Sequence, residues 1–252
     1  MTAVEPKYQT VLLDMDGVLA EVSRSYRSAI LATCHHYGAN SVSFETITDW
    51  KARGNANDDW QLSYNLIRHD PEGRNDISLE QVTATFEDLY QGTTTKEGLY
   101  KLETLIPARE TLEKLRKRST PGMGIVTGRP RKDCMTFLKN FNLEDLFDAH
   151  YCMEDGPSKP DPYPVRRCCE LLGVEPTKSV ILVGDTPDDI QAAISAGITG
   201  VGVTTPEAAE MQEAKGKHHS SAKLSVIMKE RGADVVLPPG FVELVDFMKH
   251  PN

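Results

Sequence analysis

Short apolar runs recur along the chain and close on polar or turn-forming residues: Val11–Gly17 (VLLDMDG), Gly124–Arg129 (GIVTGR), Val180–Thr186 (VILVGDT), Gly200–Thr205 (GVGVTT) and Asp234–Pro238 (DVVLP). They are rich in β-branched residues and lack apolar–polar alternation, the pattern of strands buried on both faces. From Ile106 onward, helical patterns alternate with them and predict helices over Pro107–Arg118, Pro130–Phe141, Pro162–Leu172 and Asp188–Ala196. Pro near three of the starts, and Gly173 and Gly197 after the last two ends, supply start and stop signals. This alternation predicts an α/β fold, a doubly wound parallel sheet with right-handed crossovers.

The stretch from Glu21 to Leu105 breaks the alternation. Val22–Tyr37 has apolar residues at helical spacing, Ser78 with Gln81 forms a capping box before Val82–Tyr90, and another helical piece begins at Trp60. Between them, Lys51–Asp59 (KARGNANDD) reads as a loop. The expected organisation is therefore an α/β core of residues 1–20 and 106–252, with a small all-helical cap inserted at 21–105. The polar segment Glu207–Arg231 is expected to hold one helix and a loop.

Composition narrows the function. Among 252 residues, Lys plus Arg number 28 against 37 Asp plus Glu, a formal charge of -9. That balance repels a phosphate backbone, so nucleic acid is not expected as a partner. The five cysteines, Cys34, Cys134, Cys152, Cys168 and Cys169, show no CxxC spacing and read as idle thiols in a reducing compartment. No stretch has the length of a membrane span and the polar start lacks a signal-peptide core. A cytoplasmic protein without a membrane partner is the expectation.

In an open parallel sheet, ligands bind beyond the carboxyl ends of the strands. That rule gathers Asp14 and Asp16 from the first strand, Thr127 from the second, and Asp185 with Asp188 and Asp189 from the third. Lys159, ahead of a helix start, can reach the same crevice. Several carboxylates in one crevice need a cation, and oxygen ligands favour a hard ion such as Mg²⁺. Because the backbone turns at Gly17, Asp14 and Asp16 can both face the crevice, one as nucleophile and one as proton donor. Backbone N–H groups around Met15–Gly17 are candidates to hold transferred oxygens.

Four segments in order, DMDGVL at 14–19, TGR at 127–129, SKPDP at 158–162 and GDTPDDIQAA at 184–193, resemble the haloacid dehalogenase-like superfamily of phosphohydrolases. The resemblance implies Asp14 as nucleophile, Asp16 as acid/base, and Thr127, Gly128 and Lys159 as phosphate-binding residues. It also implies Mg²⁺ held by the Asp14 carboxylate, the Asp16 carbonyl and Asp185, with Asp189 in support. Asp188 lies off the pattern and is expected to cap its helix. The inserted helical cap resembles the subgroup of phosphoglycolate phosphatases, β-phosphoglucomutases and dehalogenases. Asp16 favours phosphate chemistry, since carbon–halogen cleavage needs no proton donor to a leaving oxygen.

The expected function is a Mg²⁺-dependent phosphatase acting on a small phosphorylated metabolite through an aspartyl phosphate, as a monomer or homodimer. The alternatives are a phosphomutase of the β-phosphoglucomutase type and a non-catalytic binding protein of the same fold. Lys51, Arg53 and Asn55 in the cap loop are specificity candidates, with a solvated surface loop as the competing reading. Arg129 has two readings, a structural partner for an acid or a substrate contact. His35–His36 and His218–His219 lack partner ligands, and adjacent side chains do not face one another on a helix. Trp50 and Trp60 are expected to pack the cap.

Overall fold

The apolar runs become strands because their residues are covered on both faces. In the computed structural model, which describes residues 8–206 and 220–248, these are β1 (Thr10–Leu13), β4 (Met123–Val126), β6 (Val180–Gly184), β7 (Thr199–Val203) and β8 (Val235–Leu237). A sixth strand, β5 (Ala149–Tyr151), was not legible as an apolar run. The sheet order is β5-β4-β1-β6-β7-β8 and every pair is parallel. Leu12 of β1 lies opposite Gly124 on one side and Leu182 on the other.

The chain leaves β1, visits β4 and β5 on one side, and returns to β6 on the other. This reversal opens a crevice at the carboxyl end of β1, where ligands bind in such sheets. The crossovers are α5 (Arg109–Arg118), α6 (Arg131–Asn140), α7 (Tyr163–Leu172), α8 (Pro187–Ala196) and α9 (Ser220–Glu230), with a last turn α10 (Leu244–Phe247). α7 and α8 end at Gly173 and Gly197, both in the left-handed conformation that glycine adopts at least cost. One core cluster joins Leu12, Val126, Tyr151 and Leu182 to Val165, Cys168 and Cys169 of α7 and to Ala192 and Ala193 of α8.

The chain divides into two units, one of Met1–Ala20 with Leu105–Asn252 and one of Glu21–Thr104. A separate two-stranded sheet, β2 (Ala20–Glu21) with β3 (Thr104–Leu105), occupies the two crossings. The second unit is helical: α1 (Tyr26–His36), α2 (Phe44–Arg53), α3 (Asp59–His69) and α4 (Leu79–Tyr90). Its core sets Tyr26 against Tyr90 and Phe86, with ring centroids 4.2 and 5.7 Å apart. Buried Glu103 accepts hydrogen bonds from Ser25 and Tyr90, both at 3.0 Å.

Two local expectations need correction. Lys51–Arg53 are the last turn of α2, so the loop is only 54–58. The first cap helix begins at Tyr26 and not at Val22. His218 and His219, with residues 207–219, lie outside the described residues. No helix among the described residues is long and apolar enough to cross a membrane.

Candidate active site

The central strands end side by side and deliver their chemistry together. The Asp14 N–H donates to Val183 O at 2.9 Å, so β6 still holds the backbone where β1 stops. The chain then turns at Gly17, whose φ is +74°; a Cβ there would lie 2.2 Å from Asp185 Oδ2. Glycine is thus required twice, for its left-handed backbone and for the close passage of Asp185. The Gly17 N–H donates to Ala20 O at 2.9 Å, which removes it from the candidate oxyanion donors. Met15 and Asp16 remain the candidate amides of this turn.

Buried Lys159 is the hub. Its ammonium lies 2.9 Å from Asp14 Oδ1 and 2.5 Å from Asp189 Oδ1, and it donates to Val126 O at 2.9 Å. Burial opposes its charge, yet Asp14 and Asp189 hold its pKa above the ordinary lysine range. Burial pushes the Asp14 carboxyl up to about 7, with Lys159 opposing the shift and Asp189 and Asp16 adding to it.

Asp189 is fixed from its other oxygen. Oδ2 accepts from the Thr186 N–H at 3.0 Å and from the Thr186 hydroxyl at 2.6 Å, while the Thr186 side chain caps α8. The capping role expected of Asp188 is therefore taken by Thr186 and Asp189. Asp188 is buried beside them on the first turn of α8. Gly184 permits this packing, because a Cβ on it would lie 2.2 Å from the Asp189 Cβ.

Arg129 resolves toward the structural partner of an acid. Its Nε donates to Asp16 Oδ1 at 2.6 Å and its Nη2 lies 2.5 Å from the same oxygen. The guanidinium rests over the Phe137 ring, 5.5 Å from the centroid, and is almost wholly buried. The Arg129 N–H also donates to Thr127 Oγ1 at 3.1 Å, which orients that hydroxyl. The Thr127 N–H donates to Tyr151 O at 3.0 Å, and Gly128 is the one residue between Thr127 and Arg129.

Carboxylate oxygens of Asp14, Asp185 and Asp189 lie within 4.8 Å of one another. With Asp16, four acids face the two cations Lys159 and Arg129. That excess of negative charge suits a hard divalent cation bound through oxygen. The acid cluster, the glycine passage and the lysine hub all sit on the α/β unit.

Lys51, Arg53 and Asn55 belong to the helical unit. The Lys51 ammonium donates to Asp59 Oδ1 at 2.8 Å. Exposed Arg53 lies over the Trp50 ring, 5.9 Å from its centroid, and Asn55 has φ +57°. Trp60 donates to Glu87 at 3.1 Å, which fits the packing role expected of it.

The model of the haloacid dehalogenase-like hydrolases matches residues 11–203. A protein of Phytophthora nicotianae named imidazoleglycerol-phosphate dehydratase is 45% identical over 241 residues, which is 95% of this chain and 52% of that protein. The chain thus spans about half the length of that relative. Pyrophosphatase PpaX of Bacillus mycoides is 28% identical over 199 residues, 79% of this chain and 84% of the relative. Among solved structures, a predicted phosphoglycolate phosphatase from Haemophilus somnus superposes with TM-score 0.72 at 20% identity, covering 96% of this chain and 99% of that one.

Proposed function

Because this chain belongs to the haloacid dehalogenase-like hydrolase family, we propose that it is a Mg²⁺-dependent phosphatase working through a phosphoryl group carried on Asp14. The observation that carries this reading is the position of Asp14. It stands at the end of β1, 2.9 Å from buried Lys159 and clustered with Asp185 and Asp189. The Asp14 carboxylate attacks phosphorus as the bond to the leaving oxygen breaks, and Asp16 gives that oxygen its proton. Asp16 then takes a proton from water, which attacks the same phosphorus and frees phosphate from Asp14. Lys159 and the Thr127 hydroxyl hold phosphoryl oxygens, and Arg129 keeps Asp16 pointed into the crevice. Mg²⁺ held by Asp14, the Asp16 carbonyl and Asp185, with Asp189 in support, neutralises phosphoryl charge when bound.

The test is hydrolysis of a panel of phosphomonoesters after chelation and after Mg²⁺ is restored. Activity is expected to vanish with EDTA, return with Mg²⁺ and return poorly with Ca²⁺, whose longer and looser coordination misplaces the attacking oxygen. Full activity in chelated protein contradicts the reading. The metal effect also carries a pH signature. Without metal, Asp14 has a folded-state pKa of about 7 against 3.8 for the free side chain. Its contribution to stability is therefore complete below pH 3.8 and is lost as pH rises through 7, where its ionised form is a cost that a cation offsets. Mg²⁺ is expected to raise the melting temperature more at pH 8 than at pH 5.5, read by thermal denaturation.

Asp16→Asn separates proton transfer from metal binding, since the ligand proposed there is a carbonyl. We expect the first step, read as the burst of released alcohol, to slow by roughly 10²–10⁴-fold for alkyl phosphates and much less for nitrophenyl phosphate, whose leaving group needs no proton, while release of phosphate from Asp14 slows alike for both. Equal losses in the burst step remove Asp16 from the acid role.

The Phytophthora relative suggests the substrate class. A dehydratase removes water and leaves a phosphate ester in place, and this chain matches only about half of that protein. We propose a phosphomonoester of an imidazole-bearing alcohol as the substrate, to be compared in the panel with phosphoglycolate, pyrophosphate and hexose phosphates. Substrate choice is assigned to the helical unit. Lys51 is committed to Asp59, so exposed Arg53 is the better specificity candidate. Arg53→Ala is expected to raise KM several-fold for the best panel substrate and to leave nitrophenyl phosphate hydrolysis nearly unchanged.

A further inference from the structure

We propose that Thr186 is a positioning residue of the acid site: its hydroxyl locks the Asp189 carboxylate, and Asp189 in turn keeps the Lys159 ammonium aimed at phosphoryl oxygens beside Asp14. The inference rests on the phosphatase reading, in which Lys159 holds those oxygens.

The distances show which partner the hydroxyl serves. Thr186 opens α8 in a capping box, and an N-cap hydroxyl ordinarily serves its helix by accepting from an N–H of the first turn. Here that bond, from the Asp189 N–H, is 3.4 Å long, outside the usual span of about 2.7–3.2 Å. The bond that the same hydroxyl donates to Asp189 Oδ2 is 2.6 Å, the length of a charge-assisted contact. The Thr186 N–H adds a second donor to that oxygen at 3.0 Å. In the capping box of α4 the two bonds are more even. Ser78 Oγ accepts from the Gln81 N–H at 3.2 Å, and Gln81 Oε1 accepts from the Ser78 N–H at 2.9 Å. The Thr186 hydroxyl is thus spent on the carboxylate more than on the helix.

A locked Asp189 matters because of what it faces. It is wholly buried and packed on Gly184, where a Cβ would lie 2.2 Å from the Asp189 Cβ and 2.5 Å from Oδ2. With Oδ2 pinned, Oδ1 is presented to the Lys159 ammonium at 2.5 Å. A lysine is a point charge on a flexible four-carbon stem, so its direction is set by its anchors. Lys159 lies against Asp14 Oδ1 and Val126 O, both at 2.9 Å, as well as Asp189 Oδ1. Asp14 changes its charge and its bonding when it attacks phosphorus. Val126 O and Asp189 Oδ1 are anchors that the reaction leaves unchanged, and of these two Asp189 carries the charge.

Removing the hydroxyl leaves every charge of the site in place and frees the Asp189 carboxylate to turn. The ammonium then follows a moving anchor. Attraction for an anion persists in part, while alignment on the phosphoryl oxygens is lost. A misplacement of about 1 Å near reacting groups costs on the order of 10²-fold in rate.

The experiment compares the full-length protein with Thr186→Val, which keeps the branched shape and loses the hydroxyl, and with Thr186→Ser, which keeps the hydroxyl. Calorimetric titration with inorganic phosphate in excess Mg²⁺ reads affinity and stoichiometry separately, and nitrophenyl phosphate hydrolysis reads turnover. For Thr186→Val we expect a Kd several-fold higher at unchanged stoichiometry, and a kcat lower by roughly 10- to 100-fold. Thr186→Ser is expected to restore both. An unchanged Kd in Thr186→Val overturns the proposal, as does a reduced stoichiometry at unchanged Kd, which is the mark of a merely structural role. A Thr186→Ser protein as impaired as Thr186→Val, or an unmodified protein that binds no phosphate, also overturns it. If Thr186→Val melts below the assay temperature, Asp189→Asn, which leaves the capping hydroxyl in place, carries the same expectation, and an unchanged Kd there is decisive against the proposal. An unmodified protein that binds phosphate and hydrolyses no phosphoester contradicts the phosphatase reading alone, and the Kd comparison still decides the role of Thr186.

Discussion

Replacing Asp14 with Ala is expected to lower turnover by roughly 10⁴-fold or more, the scale on which the loss of a covalent nucleophile is felt. Asp14 is the acid that directly follows β1 and contacts Lys159. Asp185 and Asp189 arrive from β6 and α8, and Asp16 is held by Arg129. The fold should survive the change. Asp14 is buried, and its ionised form is disfavoured by burial and by Asp189 and Asp16. Asp14→Asn keeps the shape and removes that charge, so above pH 7 its melting temperature is expected to equal or exceed that of the unmodified protein while turnover collapses. This opposition of stability and activity is usual where a site concentrates like charges. Steady-state kinetics beside thermal denaturation at pH 8 checks both halves. Loss of activity accompanied by unfolding would give Asp14 a structural role.

Lys159→Ala should be the most damaging change to the fold itself. The ammonium is almost wholly buried, and it is ion-paired with Asp14 and Asp189 at 2.9 and 2.5 Å. Removing one partner from a buried charge cluster leaves the others uncompensated, at a cost of about 3–5 kcal/mol. The pH dependence has a definite sign. Without Lys159, the Asp14 pKa rises further above its unfolded value, so the folded state retains protons that the unfolded state releases. The deficit is then smallest in acid and grows as pH rises toward the folded pKa. The melting temperature of Lys159→Ala is expected to fall further below that of the unmodified protein at pH 8 than at pH 5. A deficit independent of pH would mean that packing, and not charge, is what Lys159 supplies.

The strands that hold the site were legible because each is covered on both faces, so that Val11–Leu13, Val180–Val183 and their neighbours read as unbroken apolar runs. β5 was not, because Ala149–Tyr151 is three residues long with half-buried His150 at its centre. α2 was hidden for a different reason. Its last turn, Lys51–Arg53, is polar and runs directly into Gly54 and Asn55, so a stretch of one chemical character spans two conformations. Its start is a Ser43–Thr46 capping box, a pairing less recognisable than Ser78–Gln81.

The site divides in the same way. Strand ends carry Asp14, Thr127 and Asp185, and a sheet of known direction gathers them. The grip of Arg129 on Asp16 joins residues 113 positions apart and has no local signature. The clamp on Lys159 was half visible. Thr186 and Asp189 have capping-box spacing, but only packing through Gly184 reveals that the capping acid also holds the lysine.

The covalent role of Asp14 is the claim on which the functional reading turns. Its most direct measurement is a rapid quench of the enzyme during turnover, followed by borohydride reduction of any acyl phosphate and peptide mapping. The account predicts that the reduced residue is Asp14 alone, that its yield follows Mg²⁺, and that Asp16→Asn shows the same label. A phosphoryl group trapped on any other residue, or turnover that leaves no residue labelled, would contradict it.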